Sequence, residues 1–487
     1  MRYYRSAILL AGAILLLGGC AVGPRYVAPV SSAPPAFVGG AAVDARPAAA
    51  SRVVGTVDLV DWWRAFDDSL LTSLVERALA QNLDLQQAGA RVVQARAALK
   101  NANAALLPSG QAGGQAGETY QSLQTPIGRI GSAFPQFERS SETYELNVGA
   151  SWELDLFGGR DAARDAARAD WQASAAGVVA ARLAVAAQTA DTYIAIRTLQ
   201  ARLEVARAQT DTQQRLVDLI ALQYRKGIAA ELQLRQAEGA LAQVRASVPA
   251  LQNELDKAMN ALDVLIGVQP GTTRPELTAA APIPMPPAIS TAGGPAALLR
   301  RRPDIIAAER TLAASNARIG VAVSEYYPKI SLSGLLGTAT TAAGGLFTGG
   351  ATQANGVFGL RWRLFDFGRV DAEIKAAKGR NVEALAAYRL TVLRASQDVE
   401  DAFSTLVQQE ARATALAQGE TSLTRARSAS FAAYKGGVAS LIEVLDADRR
   451  LLETRDGAIQ ARAAASRGAV ASFRALGGGW DPVPVTN

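Results

Sequence analysis

The sequence predicts a mainly α-helical fold with a transmembrane β-barrel, built from two copies of one unit. The segment ending in Trp152-Glu-Leu-Asp-Leu-Phe157 returns as the segment ending in Trp362-Arg-Leu-Phe-Asp-Phe367, and further matches follow at the same spacing. Each copy also contains an alternating segment that is long for a soluble strand and helical stretches far beyond the usual three or four turns. A constant spacing over this length indicates duplication of a whole structural unit.

The N-terminus is a targeting segment. Arginines precede an apolar run too short to span a bilayer, and Leu17-Gly-Gly precedes Cys20, the only cysteine of the chain. This arrangement resembles the bacterial lipobox, whose cysteine is lipidated; the alternative is a buried cysteine in an anchor helix. Ala21 stands where inner-membrane retention usually has aspartate. We therefore expect a lipoprotein signal peptide over 1–19, a covalent lipid on Cys20 and the outer membrane as the destination.

Composition argues against several classes of function. The 487 residues include no histidine, which removes the commonest general base and a leading metal ligand. No phosphate-binding loop and no nucleophile elbow occurs. The 50 basic and 44 acidic residues give a net charge of +6 that is spread along the chain, so no nucleic-acid patch is indicated. We expect neither catalysis nor any cofactor besides the lipid.

The first half of the chain divides into a tether and one repeat. Residues 20–60, rich in Pro, Gly, Ala and Val, predict an extended, lipid-anchored tether. After it, apolar residues recur at helical spacing. The first structural repeat, 61–280, is expected to contain strands at about 108–121 and 143–157 and a helical hairpin at about 161–264.

The second half repeats this plan after a linker. The proline-rich stretch 281–296 predicts a linker between the copies. The second structural repeat, 297–476, is expected to contain strands at about 329–337 and 356–367 and a helical hairpin at about 370–476. Residues 477–487 predict a loose C-terminal tail.

The segment Tyr144–Leu156 alternates strictly between apolar and polar residues. At about 3.3 Å per residue it is long enough for a membrane strand of about 9–11 residues, whereas a half-buried soluble strand usually has about five or six. Length therefore favours a membrane strand with one apolar face. The polar positions expected to face a wet lumen are Glu145, Asn147, Ser151, Glu153, Arg361 and Arg363.

The number of predicted strands implies an oligomer. Each chain supplies four membrane strands, and open strand edges cannot remain in lipid, where each unpaired backbone group costs several kcal/mol. Single-chain bacterial barrels begin at about eight strands. The chain must therefore pair its edges with copies of itself; two chains could close eight strands and three could close twelve.

Short motifs along the mature chain resemble one family, the outer-membrane efflux proteins of the TolC/OprM type, in their NodT-like lipoprotein branch. The matching stretches are Cys20-Ala-Val-Gly-Pro24, Trp62-Trp63, Asn82-x-Asp84, Arg301-Arg-Pro-Asp-Ile305, Tyr327-Pro328, Leu445-Asp446 and Leu476-Gly-Gly-Gly-Trp480. The resemblance implies a homotrimer with a 12-stranded barrel above a periplasmic α-helical tunnel. It also implies a periplasmic adaptor, an inner-membrane RND-type transporter and passive exit of drugs or other small molecules. Asp68 departs from the family, which commonly has proline there; we expect no functional consequence.

The resemblance also implies two sites. The hairpin turns, with Tyr224, Gly227, Tyr434 and Gly437, correspond to the family's adaptor-contacting tips, and Ile442, Glu443 and Asp446 correspond to its periplasmic gate. Glu443 and Asp446 are three residues apart, on one helix face, so a trimer would repeat them as acidic rings. Spacing alone favours a solvated face, and it is the resemblance that favours a gate, more for Asp446 than for Glu443. The first copy has Gln236 in place of Asp446, so the gate is expected to be asymmetric.

Three other readings remain open. A type I protein-secretion channel shares the fold. A periplasmic adaptor lipoprotein would have one helical hairpin and small β domains, whereas this sequence predicts two hairpins and two strand pairs. A lipid-anchored enzyme is disfavoured by the missing histidine and nucleophile motifs.

Overall fold

A computed structural model describes residues 22–29, 34–46, 58–291 and 294–481. The predicted signal peptide and Cys20 lie outside the described residues, so both stay predictions.

Long helices and one sheet make up most of the described chain. Its α-helices are α1 (Gly40–Asp44), α2 (Ser69–Gln81), α3 (Leu83–Ala104), α4 (Pro126–Gly131), α5 (Gly159–Arg225), α6 (Glu231–Ile266), α7 (Arg274–Leu277), α8 (Gly294–Arg301), α9 (Pro303–Ser324), α10 (Arg369–Lys435) and α11 (Leu441–Ala475). Its strands are β1 (Ser109–Tyr120), β2 (Ser140–Leu154), β3 (Lys329–Thr340) and β4 (Thr352–Arg361). Short 3₁₀ turns lie at Trp62–Phe66, Ala343–Gly345 and Gly349–Ala351.

The predicted duplication is confirmed in the order of the elements. Each half gives two shorter helices, two strands, a very long helix, a turn and a second long helix. The long helices α5 and α10 both have 67 residues, and their partners α6 and α11 have 36 and 35. The two copies therefore share one backbone plan.

The chain divides into two compact units. The first comprises 22–29, Val93–Ala173 and Glu309–Ala387, and it contains the whole sheet. The second comprises 34–46, 58–92, 174–291, 294–308 and 388–481, and it contains both hairpin turns.

The sheet is antiparallel, in the order β1-β2-β3-β4. The strands of the two copies meet where β2 pairs with β3. The expected strand at 356–367 is displaced, because β4 runs from Thr352 to Arg361. It stops early because the Asp366 carboxylate accepts hydrogen bonds from the N–H groups of Gly368 (3.1 Å) and Val370 (2.8 Å), which starts α10.

The core of the second unit is rich in aromatic side chains. The rings of Trp62 and Phe473 stack with centroids 5.5 Å apart, and those of Phe37 and Phe403 meet edge to face at 5.6 Å. Burial of several large rings supplies much of the packing energy of such a core. No disulfide can contribute, since the sequence has one cysteine.

The tether prediction is wrong for residues 34–46, which pack against α10. The backbone N–H groups of Val38 and Gly39 donate to the Glu400 carboxylate at 2.7 and 2.8 Å. The Arg46 guanidinium binds the Glu410 carboxylate with its Nη2 at 2.6 Å. Proline and glycine content indicated an extended chain, but it could not reveal that acidic residues far along the sequence hold it.

The linker and the tail are also better ordered than composition suggests. The carbonyl oxygen of Pro284 accepts from the Ser466 hydroxyl at 2.5 Å, although residues 281–291 have no regular secondary structure. The last three residues of the predicted linker already belong to α8, which begins at Gly294. In the predicted loose tail, Gly477–Gly479 are buried, and the Trp480 indole N–H donates to the Arg301 carbonyl at 3.1 Å. The expectation of a loose tail is therefore wrong as far as Trp480.

Asp68 has a clear structural role. Its Oδ1 accepts from the N–H groups of Leu70 (3.0 Å) and Leu71 (2.9 Å) and so caps α2. Its Oδ2 accepts from the Tyr193 hydroxyl at 2.7 Å. Burial raises the pKa of Tyr193 to about 12, so the hydroxyl stays a donor. The side chain thus does more than the sequence suggested.

One described helix, α5, contains an 18-residue window long and apolar enough to cross a membrane, with a mean hydropathy of 1.3. Of that window, 39% is buried. A buried core helix has the same composition, so this is weak evidence for a helical span.

Candidate functional site

The strand register gathers most of the predicted lumen residues on one sheet face. On one face of β2 lie Glu145, Asn147, Ser151 and Glu153. Lys329 of β3 lies on the same face, two residues before the Glu153 partner Ser331, and Arg361 of β4 is paired with Lys329. The other face carries large apolar side chains, among them Leu146, Val148, Trp152, Leu336, Phe358 and Leu360. The sheet therefore has one polar and one apolar surface, and the lumen assignment of the polar one stays a prediction.

Arg363 lies outside the strands whose register defines this face. It follows the end of β4, and its Nη2 lies 3.1 Å from a carboxylate oxygen of Glu325. Glu325 also pairs with Lys329. The prediction for Arg363 assumed a strand that continued through Phe367, which instead takes a left-handed φ of 53°. Its place in the lumen stays a prediction.

Aromatic residues mark the helix-side end of the sheet, and sequence reasoning missed their arrangement. The indole N–H of Trp152 donates to the Leu106 carbonyl at 2.9 Å, and that of Trp362 donates to the Tyr326 carbonyl at 3.0 Å. Four further aromatic residues lie here. The rings of Phe157 and Tyr327 stack with centroids 4.7 Å apart, and Phe365 and Phe367 are exposed. Such belts are typical of a membrane–water interface, so the aromatic run after each strand was a usable signal.

The two hairpin turns share one backbone geometry. Gly227 and Gly437 have φ of 71° and 76°, and their N–H groups donate to the carbonyls of Tyr224 (2.9 Å) and Tyr434 (3.0 Å). The tyrosine side chains differ. Tyr224 is 42% exposed, whereas Tyr434 is half-buried and donates its hydroxyl to Gln223 Oε1 at 2.9 Å.

Of the predicted gate residues, Glu443 is engaged in a helix cap. Its Oε1 accepts from the Ser440 N–H at 3.3 Å, while its own N–H donates to the Ser440 hydroxyl at 3.4 Å. This capping box satisfies the first turn of α11. The neighbouring Ile442 is 62% exposed.

Asp446 forms the charged centre of the predicted gate. Its Oδ1 lies 2.7 Å from Arg449 Nη2, and its Oδ2 lies 2.7 Å from Arg450 Nε. The hydrogen bond from Arg449 is the main reason that the pKa of the Asp446 carboxyl lies below its ordinary value. Neither arginine was among the residues predicted from sequence, although spacings of three and four residues on a helix indicate such pairs.

Asp448 was also missed, and it is the buried carboxylate of this region. It is 1% exposed, and its Oδ1 accepts from Arg427 Nε at 2.8 Å. Its Oδ2 accepts from Gln213 Nε2 at 3.3 Å. Asp448 thereby ties α11 to both α10 and α5 beside the second turn. Nothing in the sequence marks an acidic residue here as buried.

Within the described residues, no group of three or more cysteine, aspartate and glutamate side chains is placed to hold a metal ion. The fold thus assembles four features: the sheet with one polar and one apolar face, the aromatic residues at its helix-side end (here called the aromatic margin), the two hairpin turns and the charged start of α11. None of these is a constellation for bond-making chemistry.

Comparisons with known proteins agree with these features. The profile of the outer membrane efflux protein family matches residues 74–268 and 294–478. The outer membrane protein OprJ of Pseudomonas aeruginosa is 32% identical over 489 residues, covering 98% of this chain and 96% of that protein. Nodulation protein T of Rhizobium leguminosarum bv. trifolii is 30% identical over 481 residues, covering 96% of each.

A solved structure is similar over almost the whole length. The outer-membrane channel OprN superposes with a TM-score of 0.84 at 32% identity, covering 95% of this chain and 100% of that chain. Sequence, fold and geometry thus lead to the same conclusion. The chain belongs to the outer membrane efflux protein family.

Proposed function

We propose that this outer-membrane efflux protein is the trimeric exit duct of a tripartite pump. The observation that carries the proposal is a four-stranded sheet with an apolar face and two edges, β1 and β4, that no further strand among the described residues pairs with. In lipid these edges must pair, and copies of the same chain supply the partners. Eight strands leave an interior that side chains nearly fill, whereas twelve leave an open lumen, which favours three chains.

The aromatic margin and the N-terminus support a lipid-anchored orientation. The N–H of Val22 donates to the Phe157 carbonyl at 3.4 Å, beside the stacked rings of Phe157 and Tyr327. A lipid on Cys20, two positions earlier in the sequence, would enter the membrane close to these rings. Strands, aromatic belt and lipid would then define one membrane boundary.

The hairpin turns suit contact with another protein. Both expose apolar side chains, with Ile228 at 72% and Val438 at 84% exposure. We assign them to a periplasmic adaptor, through which an inner-membrane RND-type transporter delivers its cargo. Drugs or other small molecules would cross this chain passively, because the transporter supplies the energy.

The start of α11 is the proposed periplasmic gate. Exposed Ile442 and the Asp446–Arg449–Arg450 cluster would be repeated three times around the tunnel. Glu443 contributes mainly as the cap that fixes this turn. Ion pairs repeated about a narrow opening can close it and still be rearranged by a docking partner.

Native mass spectrometry of the detergent-extracted protein tests the oligomer. We expect a mass of three lipidated chains, and conductance when the same sample is added to planar bilayers. A complex of two chains, or a trimer without conductance in any bilayer, would contradict the proposal. Export is then followed in a strain that carries the neighbouring pump genes. If this strain secretes a polypeptide and exports no drug, the result would favour the secretion-channel alternative.

A further inference from the structure

We infer that Glu145 gives the loop-side half of the barrel lumen a preference for cationic over anionic solutes, an inference that rests on the proposed function. Glu145 is the fifth residue after the start of β2 at Ser140, so it belongs to the half of the strand next to the β1–β2 loop. In a trimer it would recur three times around the lumen.

The polar sheet face carries few charges, and their positions are uneven. By the strand register they are Glu145, Glu153, Lys329 and Arg361. Three of these lie at the helix-side end, where Glu153 pairs with Arg160 at 3.2 Å and Lys329 pairs with Glu325. On this face of the described strands, Glu145 is the one charge in the loop-side half.

The Glu145 carboxylate is held by amides rather than by a cation. Asn147 Nδ2 donates to its Oε2 at 3.2 Å, and Gln353 Nε2 donates to Asn147 Oδ1 at 2.8 Å. This chain of hydrogen bonds crosses from β4 to β2 over Gly337 of β3. A Cβ at Gly337 would lie 2.1 Å from Asn147 Oδ1, so glycine leaves the room that the amides need.

Neutral amides orient a carboxylate without cancelling its charge. Three such carboxylates around a lumen attract cations and repel anions, as charged rings do in other pores. The effect depends on ionic strength, because the Debye length falls from about 30 Å at 0.01 M to about 3 Å at 1 M. The preference should therefore be strong in dilute solution and weak in concentrated salt.

A single engineered thiol can report this potential without passing the periplasmic gate. Thr143→Cys places a thiol on the same face, about 7 Å along the strand from Glu145. Methanethiosulfonate reagents carrying either a trimethylammonium or a sulfonate group are added to intact cells, and the ratio of the cationic to the anionic reaction rate is measured. The protein without Thr143→Cys corrects for reaction at other sites.

Glu145→Gln in this background should lower the rate ratio at least about threefold at about 0.01 M ionic strength, with the difference vanishing near 1 M. Glu145→Asp keeps the charge and should retain the ratio. Glu142→Gln is the matched control: Glu142 lies on the opposite face, where it accepts the Tyr144 hydroxyl at 2.9 Å. It should leave the ratio unchanged.

The outcomes separate this inference from the proposed function. A rate ratio that Glu145→Gln does not change at low salt, in a thiol that reacts readily, overturns the role of Glu145 and leaves the duct intact. A thiol at position 143 that neither reagent reaches in folded, surface-exposed protein overturns the aqueous lumen itself, and the inference with it.

Discussion

The two hairpins of the chain share a backbone and differ in the charges at their turns. Gly227 and Gly437 turn both hairpins with left-handed φ, and Gly267 and Gly477 end both second helices at φ 81° and 73°. The side chains that follow the turns have diverged. The second hairpin places the buried Asp448 where the first has Glu238, which pairs with Arg235 at the surface.

This difference indicates which residues stayed the same in the two copies after duplication and which residues changed. Glycines at positions that fix backbone geometry were kept in both copies, because glycine takes a left-handed conformation with the least strain. Positions that carry charge were free to specialise in one copy. The gate is accordingly proposed for the second hairpin alone, and its strength depends on contacts that the first hairpin lacks.

The largest contrast is expected between Asp448→Ala and Glu238→Ala. Removing Asp448 leaves the Arg427 guanidinium and the Gln213 amide without their partner in a buried position, at a cost of about 3 kcal/mol. Glu238 is an exposed partner of Arg235, so its loss should cost below about 0.5 kcal/mol. Thermal unfolding of the purified protein, followed by helical circular dichroism, measures both. Equal shifts of the unfolding temperature in the two variants would contradict the expectation that the two carboxylates stabilise their hairpins to different extents.

The C-terminal ends of α6 and α11 are expected to be equivalent in the two copies. A Cβ at Gly267 would lie 2.7 Å from the Gln81 carbonyl oxygen, and one at Gly477 would lie 2.9 Å from that of Arg301. We expect Gly267→Ala and Gly477→Ala each to destabilise the folded protein by about 2 kcal/mol. Gly437→Ala is the control: it is equally left-handed but faces open space, so about 1 kcal/mol is expected. A large effect in one copy only would contradict their equivalence.

The proposed gate predicts a change in permeability with little change in stability. Asp446→Ala removes the acceptor of Arg449 and Arg450, so cells should become severalfold more susceptible to large antibiotics that the closed tunnel excludes. Gln236→Ala, at the matching position of the first hairpin, should leave susceptibility unchanged. Trimer abundance is measured alongside by immunoblot. Unchanged susceptibility at normal trimer levels would exclude Asp446 from the gate.

The smallest effect is expected from pH. The hydrogen bond from Arg449 lowers the pKa of Asp446, so this carboxylate stays ionised and paired above the ordinary aspartate pKa. The pairing is lost only as pH falls through the depressed pKa. Conductance of the closed trimer in planar bilayers should therefore stay constant between about pH 7 and about pH 5. A steep rise within this range would assign closure to a different group.

Sequence predicted the features that depend on neighbours along the chain. Strict alternation showed the faces of β2, and glycines showed where both hairpins turn. It failed where partners lie far apart in sequence: Asp448 with Gln213, Arg46 with Glu410, and Trp480 with Arg301. Burial of these groups is a property of the packed fold, and composition alone made two of the segments look loose.

The predicted end of β4 was wrong for a local reason. The alternation of apolar residues continues past Arg361, but Asp366 caps the next helix and so competes for the same stretch of chain. The same kind of capping made Asp68 more important than an exception to a motif suggested. Side chains that accept hydrogen bonds from a helix start can therefore override a strand pattern.

Cross-linking of the open sheet edges tests the central claim, that three chains join β1 of one copy to β4 of the next. Ala112→Cys on β1 is combined in turn with Ala354→Cys, Gly356→Cys and Phe358→Cys on the same apolar face of β4. After oxidation in membranes, at least one pair should give a ladder of one, two and three linked chains that ends at three. A ladder that ends at two, or no link between chains at any pair, would contradict the account.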